Sequence, residues 1–281
     1  MLLQRVITAL VLVAVLLVAL AASSPWPFAV LTLVFMAAGG WEWGRLNQAQ
    51  GGLAWALAAV VAVAGAASLA AGWTVQVPAA LWWCGVLLWV LGGTVALRTG
   101  PSGWPRLALP ARWLLGVLAL WLAWLAVAHA RTVSINFLLS VLCLVWMADV
   151  AAYFGGRAWG RAKLAPSISP GKSWAGVWSG MVGVLVLAAF WMWLDQRMGF
   201  DGASLYTRLF TNLGGLGMAM ALVLLCALSV VGDLVESLVK RAAGAKDSSQ
   251  LLPGHGGVLD RVDALLPTLP AAMALMTWGA R

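Results

Sequence analysis

Apolar runs of about 20 residues with little or no charge recur along this chain, which is the length a helix needs to cross a bilayer. They lie near 5–22, 27–43, 52–72, 79–97, 112–129, 133–154, 174–194, 214–239 and 262–280. With 63% hydrophobic and 9% charged residues, a soluble fold could not hide so much apolar surface. The expectation is an all-α polytopic membrane protein with about nine transmembrane helices. Tryptophans such as Trp26, Trp41, Trp43, Trp104, Trp113, Trp174 and Trp193 fall near run ends, as an aromatic belt does. Arg5, an apolar run and Ala-Ala-Ser-Ser resemble a signal peptide, but a second run begins at about Trp26, which favours an uncleaved first helix.

The cations set the orientation. With the N-terminus in the cytoplasm, one set of loops holds Arg5, Arg45, Arg98, Arg106, Arg112, Arg157, Arg161, Lys163, Lys172, Lys240, Arg241, Lys246 and Arg261. The opposite set holds only Arg131, Arg197, Arg208 and Arg281. Thirteen against four of the 17 basic residues is a positive-inside bias, so the N-terminus is read as cytoplasmic and the C-terminus as outside. A net charge of +8 spread through short loops is a topology signal, which excludes nucleic acid as a partner. Cys84, Cys143 and Cys226 each stand alone in apolar runs and imply neither a zinc site nor a disulfide.

The acids are unevenly shared. Asp149, Asp233, Glu236, Asp247, Asp260 and Asp263 fall at or near cytoplasmic run ends in the second half, whereas the first five runs offer only Glu42. Residues 1–130 are therefore read as scaffold and 131–281 as the catalytic region, with cytoplasmic loops at 155–173 and 240–261. Asp233 and Glu236 share a helix face at i, i+3, and Asp260 and Asp263 repeat that spacing. Oxygen ligands from two helices could hold a hard cation such as Mg²⁺, which also accepts substrate phosphate oxygens. Helix-end pairing, for instance Glu236 with Lys240, is the plainer alternative.

Between these pairs, Gly254-His255-Gly256-Gly257 precedes the last run. Glycines let backbone N–H groups approach an anion, and His255 among them suits substrate contact. Lys240, Arg241, Lys246 and Arg261 could grip phosphates. In the second loop, Lys172 and Ser173 stand before a helix start, without the spacing of a P-loop. Intramembrane charge also marks transport pathways, although here the charges gather at one face.

The 27 positions from Ser237 to Asp263 read Ser-x-apolar-Lys-Arg-x4-Lys-Asp-x-Ser-x2-Leu-Pro-x-His-Gly-Gly-apolar-x-Asp-Arg-apolar-Asp. This pattern resembles the signature of phosphatidate cytidylyltransferases, also called CDP-diacylglycerol synthases. The segment Asp149-x3-Tyr153-Phe154-x-Gly156, followed by Lys163-Leu164-x-Pro166-x-Ile168-Ser169-Pro170-x-Lys172-Ser173, is similar to that family's second block. One departure is Lys172-Ser173-Trp174-Ala175-Gly176, where the family usually has Lys-Thr-x-Glu-Gly.

The resemblance implies a reaction between CTP and phosphatidic acid that gives CDP-diacylglycerol and pyrophosphate. It implies a dimeric membrane enzyme of the bacterial cytoplasmic (inner) membrane, acting at the cytoplasmic side. Mg²⁺ would be held by Asp233 and Asp260, with K⁺ as a candidate second cation. The catalytic set would comprise Asp233, Asp260, Lys240, Arg241, Lys246, Asp247, His255, Arg261 and Asp263. Substrate binding would fall to Asp149, Lys163, Lys172, Ser173, Ser237, Gly256 and Gly257.

Overall fold

The computed structural model describes residues 2–278, with side chains from Val6 onward. Arg281, the end of the run read as 262–280 and the orientation of the C-terminus lie outside the described residues, as does the Arg5 side chain. In chain order the helices are α1 (Leu2–Ala21), α2 (Trp26–Leu46), α3 (Gly52–Ala70), α4 (Ala79–Leu87) and α5 (Gly93–Gly103). They continue with α6 (Leu109–Val133), α7 (Ile135–Trp159), α8 (Trp174–Arg197), α9 (Leu205–Ala242), α10 (Leu259–Val262) and α11 (Leu265–Thr277). A π-helical turn at Leu88–Gly92 joins α4 to α5, and an antiparallel hairpin of β1 (Lys163–Ala165) and β2 (Ser169–Ser173) joins α7 to α8.

The architecture is that of an all-α polytopic membrane protein. Among the described residues six helices are long and apolar enough to cross a membrane: Gly52–Ala70, Ala79–Arg106, Leu109–Val133, Ile135–Trp159, Trp174–Arg197 and Leu205–Ala242. Three of the nine expected runs fall short by that measure. The first contributes the shorter apolar stretch Val6–Ala21, and α2 is diluted by glycine and by Glu42 and Arg45. The third is α11, whose 13 residues rise only about 20 Å. It is apolar all round and buried from Leu266 to Leu275, packing against α4, α6 and α9 at the centre of the bundle.

Two local features position the site. Helix α8 packs along α7 because Gly176 and Gly180 let the backbones approach: a Cβ there would stand 2.9 Å from Ala152 O and 3.0 Å from Ala148 O. Its other side turns Val182, Val186 and Phe190 outward as a lipid-facing stripe. Helix α9 is broken at Gly214, whose φ of +70° is left-handed. The run read from the sequence as starting at 214 thus begins at that break.

The segment 155–173 is the clearest correction. Residues up to Trp159 continue α7, and the remainder is mainly a β-hairpin rather than a loop. Ser173 ends β2 and caps α8, its Oγ accepting the Gly176 N–H at 3.2 Å.

Candidate active site

The hairpin lays Lys172 against α9, where its ammonium pairs with Asp233 Oδ2. Ser237, one turn on, donates to Asp233 Oδ1 at 3.3 Å. A cavity of about 500 Å³ opens here, its polar wall formed by Asp149, Tyr153, Arg157, Lys172, Ser173 and Asp233. Val177 and Val230 are part of its apolar wall. Asp233 lies within charge range of Asp149 and of Asp263, and Lys172 acts on both.

A second centre lies at the end of α9. Lys240 Nζ stands 2.6 Å from Glu236 Oε2 and 2.5 Å from Asp260 Oδ1. The plainer reading of Glu236 with Lys240 is thus met, but Lys240 serves Asp260 as well. Asp260 Oδ2 accepts Ser248 N–H at 2.9 Å, Ser248 Oγ–H at 2.9 Å and Gly257 N–H at 2.8 Å. Burial opposes ionisation of Asp260, but the Lys240 ammonium and the two amides outweigh it and pull the carboxyl down to about 2.

The glycine loop departs from the expected anion cradle. The Gly257 amide is given to Asp260, and those of Val258 and Leu259 go to Glu42 at 2.9 and 2.7 Å. The anions these amides meet are the chain's own carboxylates. Arg261 Nε donates to the His255 carbonyl at 3.0 Å and Nη2 at 2.5 Å, so its fork closes the loop. Arg241 spans from Ile168 O in the hairpin, at 3.4 Å, to Ala245 O, at 3.2 Å. Lys163, Lys246 and Asp247 are exposed around these groups, and His255 and Gly256 are partly buried.

Glu42 is the residue that sequence reading missed. It is fully buried, comes from the half read as scaffold, and meets Ser248, Ser249, Val258 and Leu259 together. The available signal was that it is the lone acid of the first five runs, because an acid in an apolar run needs partners.

The fit of a divalent cation can be judged on the two carboxylates expected to hold one. Each already faces a cation, Lys172 at Asp233 and Lys240 at Asp260, so both are hard-oxygen sites built for positive charge. Among the described residues no three His, Cys, Asp or Glu groups converge as a ready-made metal cluster. Mg²⁺ usually takes one or two carboxylates and completes its shell with water and substrate phosphate, which this donor set suits.

Comparison with known proteins accounts for the whole length. A model of the cytidylyltransferase family matches residues 3–278. The phosphatidate cytidylyltransferase of Pseudomonas aeruginosa is 38% identical over 290 residues, covering 100% of both chains. That of Haemophilus influenzae is 48% identical over 133 residues, 47% of this chain and 43% of its own. The chloroplastic phosphatidate cytidylyltransferase 5 of Arabidopsis thaliana is 39% identical over 137 residues, 49% of this chain and 31% of its own. From its first helix to its last, the chain belongs to the cytidylyltransferase family.

Proposed function

We infer that this protein transfers the cytidylyl group from CTP to phosphatidic acid, giving CDP-diacylglycerol and pyrophosphate. The observation that carries this reading is the mixed lining of the cavity between α7, α8 and α9. An apolar wall suited to a lipid meets Lys172, Ser173 and Asp233, which suit phosphate chemistry. The full-length relative named for this activity supports it.

The lipid phosphate is ionised at neutral pH and is itself the nucleophile. Its oxygen bonds to the α-phosphorus of CTP as the bond to the pyrophosphate oxygen breaks, so catalysis rests on alignment and charge neutralisation. Lys172 and Ser173 hold the lipid phosphate at the cavity, with Asp149 and Ser237 beside them. Lys240, Arg241, Lys246 and Arg261 hold the triphosphate. Asp233 and Asp260 are the carboxylates that would hold Mg²⁺, and K⁺ is the candidate second cation. When bound, Mg²⁺ neutralises phosphate oxygens and the departing pyrophosphate. Asp247, His255 and Asp263 shape the surrounding field, and Lys163 stands at the hairpin edge.

In this reading α1, α2 and α11 also lie in the bilayer, giving nine crossings with the N-terminus cytoplasmic and the C-terminus outside. The thirteen-to-four distribution of cations supports that orientation. The site then faces the cytosol of a bacterial inner membrane, where CTP is found, residues 131–281 supply most of its groups, and two copies form a homodimer.

The test is direct. Purified protein in mixed micelles with phosphatidate, radiolabelled CTP and Mg²⁺ should form a labelled liponucleotide and release pyrophosphate. Absence of product across lipid compositions and salt concentrations would reject the reading.

A further inference from the structure

We propose that Glu42 is a positioning residue for this reaction, a buried clasp in α2 that fixes the glycine loop and so presents Lys240, Asp260 and Arg261 to the nucleotide phosphates. A carboxylate is costly to bury unless its oxygens are met. Glu42 is fully buried, and none of the ion pairs among the described residues includes it. Its four partners are neutral: Ser249 Oγ at 2.5 Å, Val258 N at 2.9 Å and Leu259 N at 2.7 Å donate to it, and Ser248 Oγ, whose single proton is shared with Asp260, stands at 3.2 Å. All four belong to the segment between Lys246 and Asp260, more than 200 residues away in sequence.

That donor set explains the geometry of the signature. Ser248 Oγ lies within hydrogen-bond distance of both Glu42 and Asp260, so one hydroxyl links the N-terminal half to the carboxylate paired with Lys240. A Cβ on Gly257 would stand 2.0 Å from Ser248 Oγ and 2.3 Å from Glu42 Oε1, so only glycine leaves room for the clasp. The two sides of the loop, Ser248–Ser249 and Val258–Leu259, are drawn to one carboxylate. Without it the Val258 and Leu259 amides would be buried without partners, and the loop would open to find water.

Glu42→Gln keeps the size and replaces one accepting oxygen with an NH₂ that faces the donors. Ser249→Ala removes the 2.5 Å bond to Glu42, together with the Leu251 N–H bond to the same hydroxyl at 3.0 Å, and leaves the carboxylate in place. Hydrogen exchange followed by mass spectrometry on the full chain in lipid nanodiscs reads the loop directly. In Glu42→Gln, amides of 248–259 should exchange on the order of tenfold faster, the scale of one lost hydrogen bond to a charged group. Ser249→Ala should move the same amides in the same direction, and exchange in α7 and α8 should stay unchanged in both. The liponucleotide assay should show KM for CTP rising more than KM for phosphatidate, a split that general loss of fold would not produce.

Unchanged loop exchange in Glu42→Gln, or acceleration spread equally through α7 and α8, would overturn the proposal. If Glu42→Gln does not fold, Ser249→Ala decides, and unchanged loop exchange in it overturns the proposal. The kinetic part rests on the proposed activity, whereas the exchange contrast does not. A wild-type protein that forms no liponucleotide would reject the activity and leave the clasp to be decided by exchange.

Discussion

The Lys240 ammonium lies 2.5 Å from Asp260 Oδ1 and thereby ties the last turn of α9 to α10 across the glycine loop. Lys240 also holds Glu236 at 2.6 Å, so one cation balances two acids from two helices. Removing it would leave buried carboxylates without a counter-charge, which costs more than an exposed pair is worth.

Asp260 should make its contribution across the whole working pH range. Its carboxyl is held at about 2, below the ordinary aspartate value of about 3.9. A lowered value means stability that is fully present above the unfolded pKa and is lost as pH falls through the folded one. The term is worth roughly 2 kcal/mol. Thermal midpoints of wild type and Asp260→Asn should therefore differ by a constant amount from pH 8 to about 4 and converge towards pH 2. A gap that closes between pH 7 and 5 would contradict the assignment.

Asp233 and Lys172 should behave as one unit. Asp233→Asn is expected to lower turnover about a hundredfold, or roughly 3 kcal/mol, and to raise the Mg²⁺ concentration needed for half-maximal rate. EDTA should abolish activity and added Mg²⁺ restore it. In a double-mutant cycle with Lys172→Met the second change should cost far less than it does alone. Additive losses would mean that the pair does not act together.

The alanine at position 175 should prove tolerable. It lies in the first turn of α8, two residues after the cap Ser173. A glutamate there would face the positive end of the helix dipole, worth about 0.3–1 kcal/mol. Ala175→Glu should raise the thermal midpoint slightly and keep turnover within about threefold of wild type. A large gain in turnover would show that the alanine had cost the chain a catalytic acid.

Gly257→Ala tests the packing of the loop with a single methyl group. The added carbon would overlap Ser248 Oγ and Glu42 Oε1, so the loop must move. Activity should fall at least tenfold, and the loss should track faster hydrogen exchange in 248–259. Normal activity would show that the close approach is not required.

Much of this site was legible because rare polar residues stand out in apolar sequence. The carboxylates of α9 and α10, the cations at the helix ends and the break near residue 214 all left local marks. Three features did not. The β1–β2 hairpin is too short, and too interrupted by Pro166 and Pro170, for alternation to show. The Lys172–Asp233 pair joins residues 61 positions apart, a relation fixed by tertiary packing. The glycine loop suggested amides free for a substrate anion, and only the fold reveals that Glu42 and Asp260 take them. The limits of α11 were not legible either, since the run read as 262–280 gives no sign of the turn at Asp263–Ala264 that leaves a helix of 13 residues.

The separation between Glu42 and its loop also bears on how the protein is made. The chain leaves the ribosome N-terminus first, and Glu42 must wait 206 residues for Ser248 and 217 for Leu259. At about 5–20 residues per second that delay is roughly 10–40 s. Until α10 has been made, α2 therefore carries an acid with no native partner. A nascent chain that stops short of α10 cannot assemble the glycine loop, and this ties the onset of lipid chemistry to the arrival of α10.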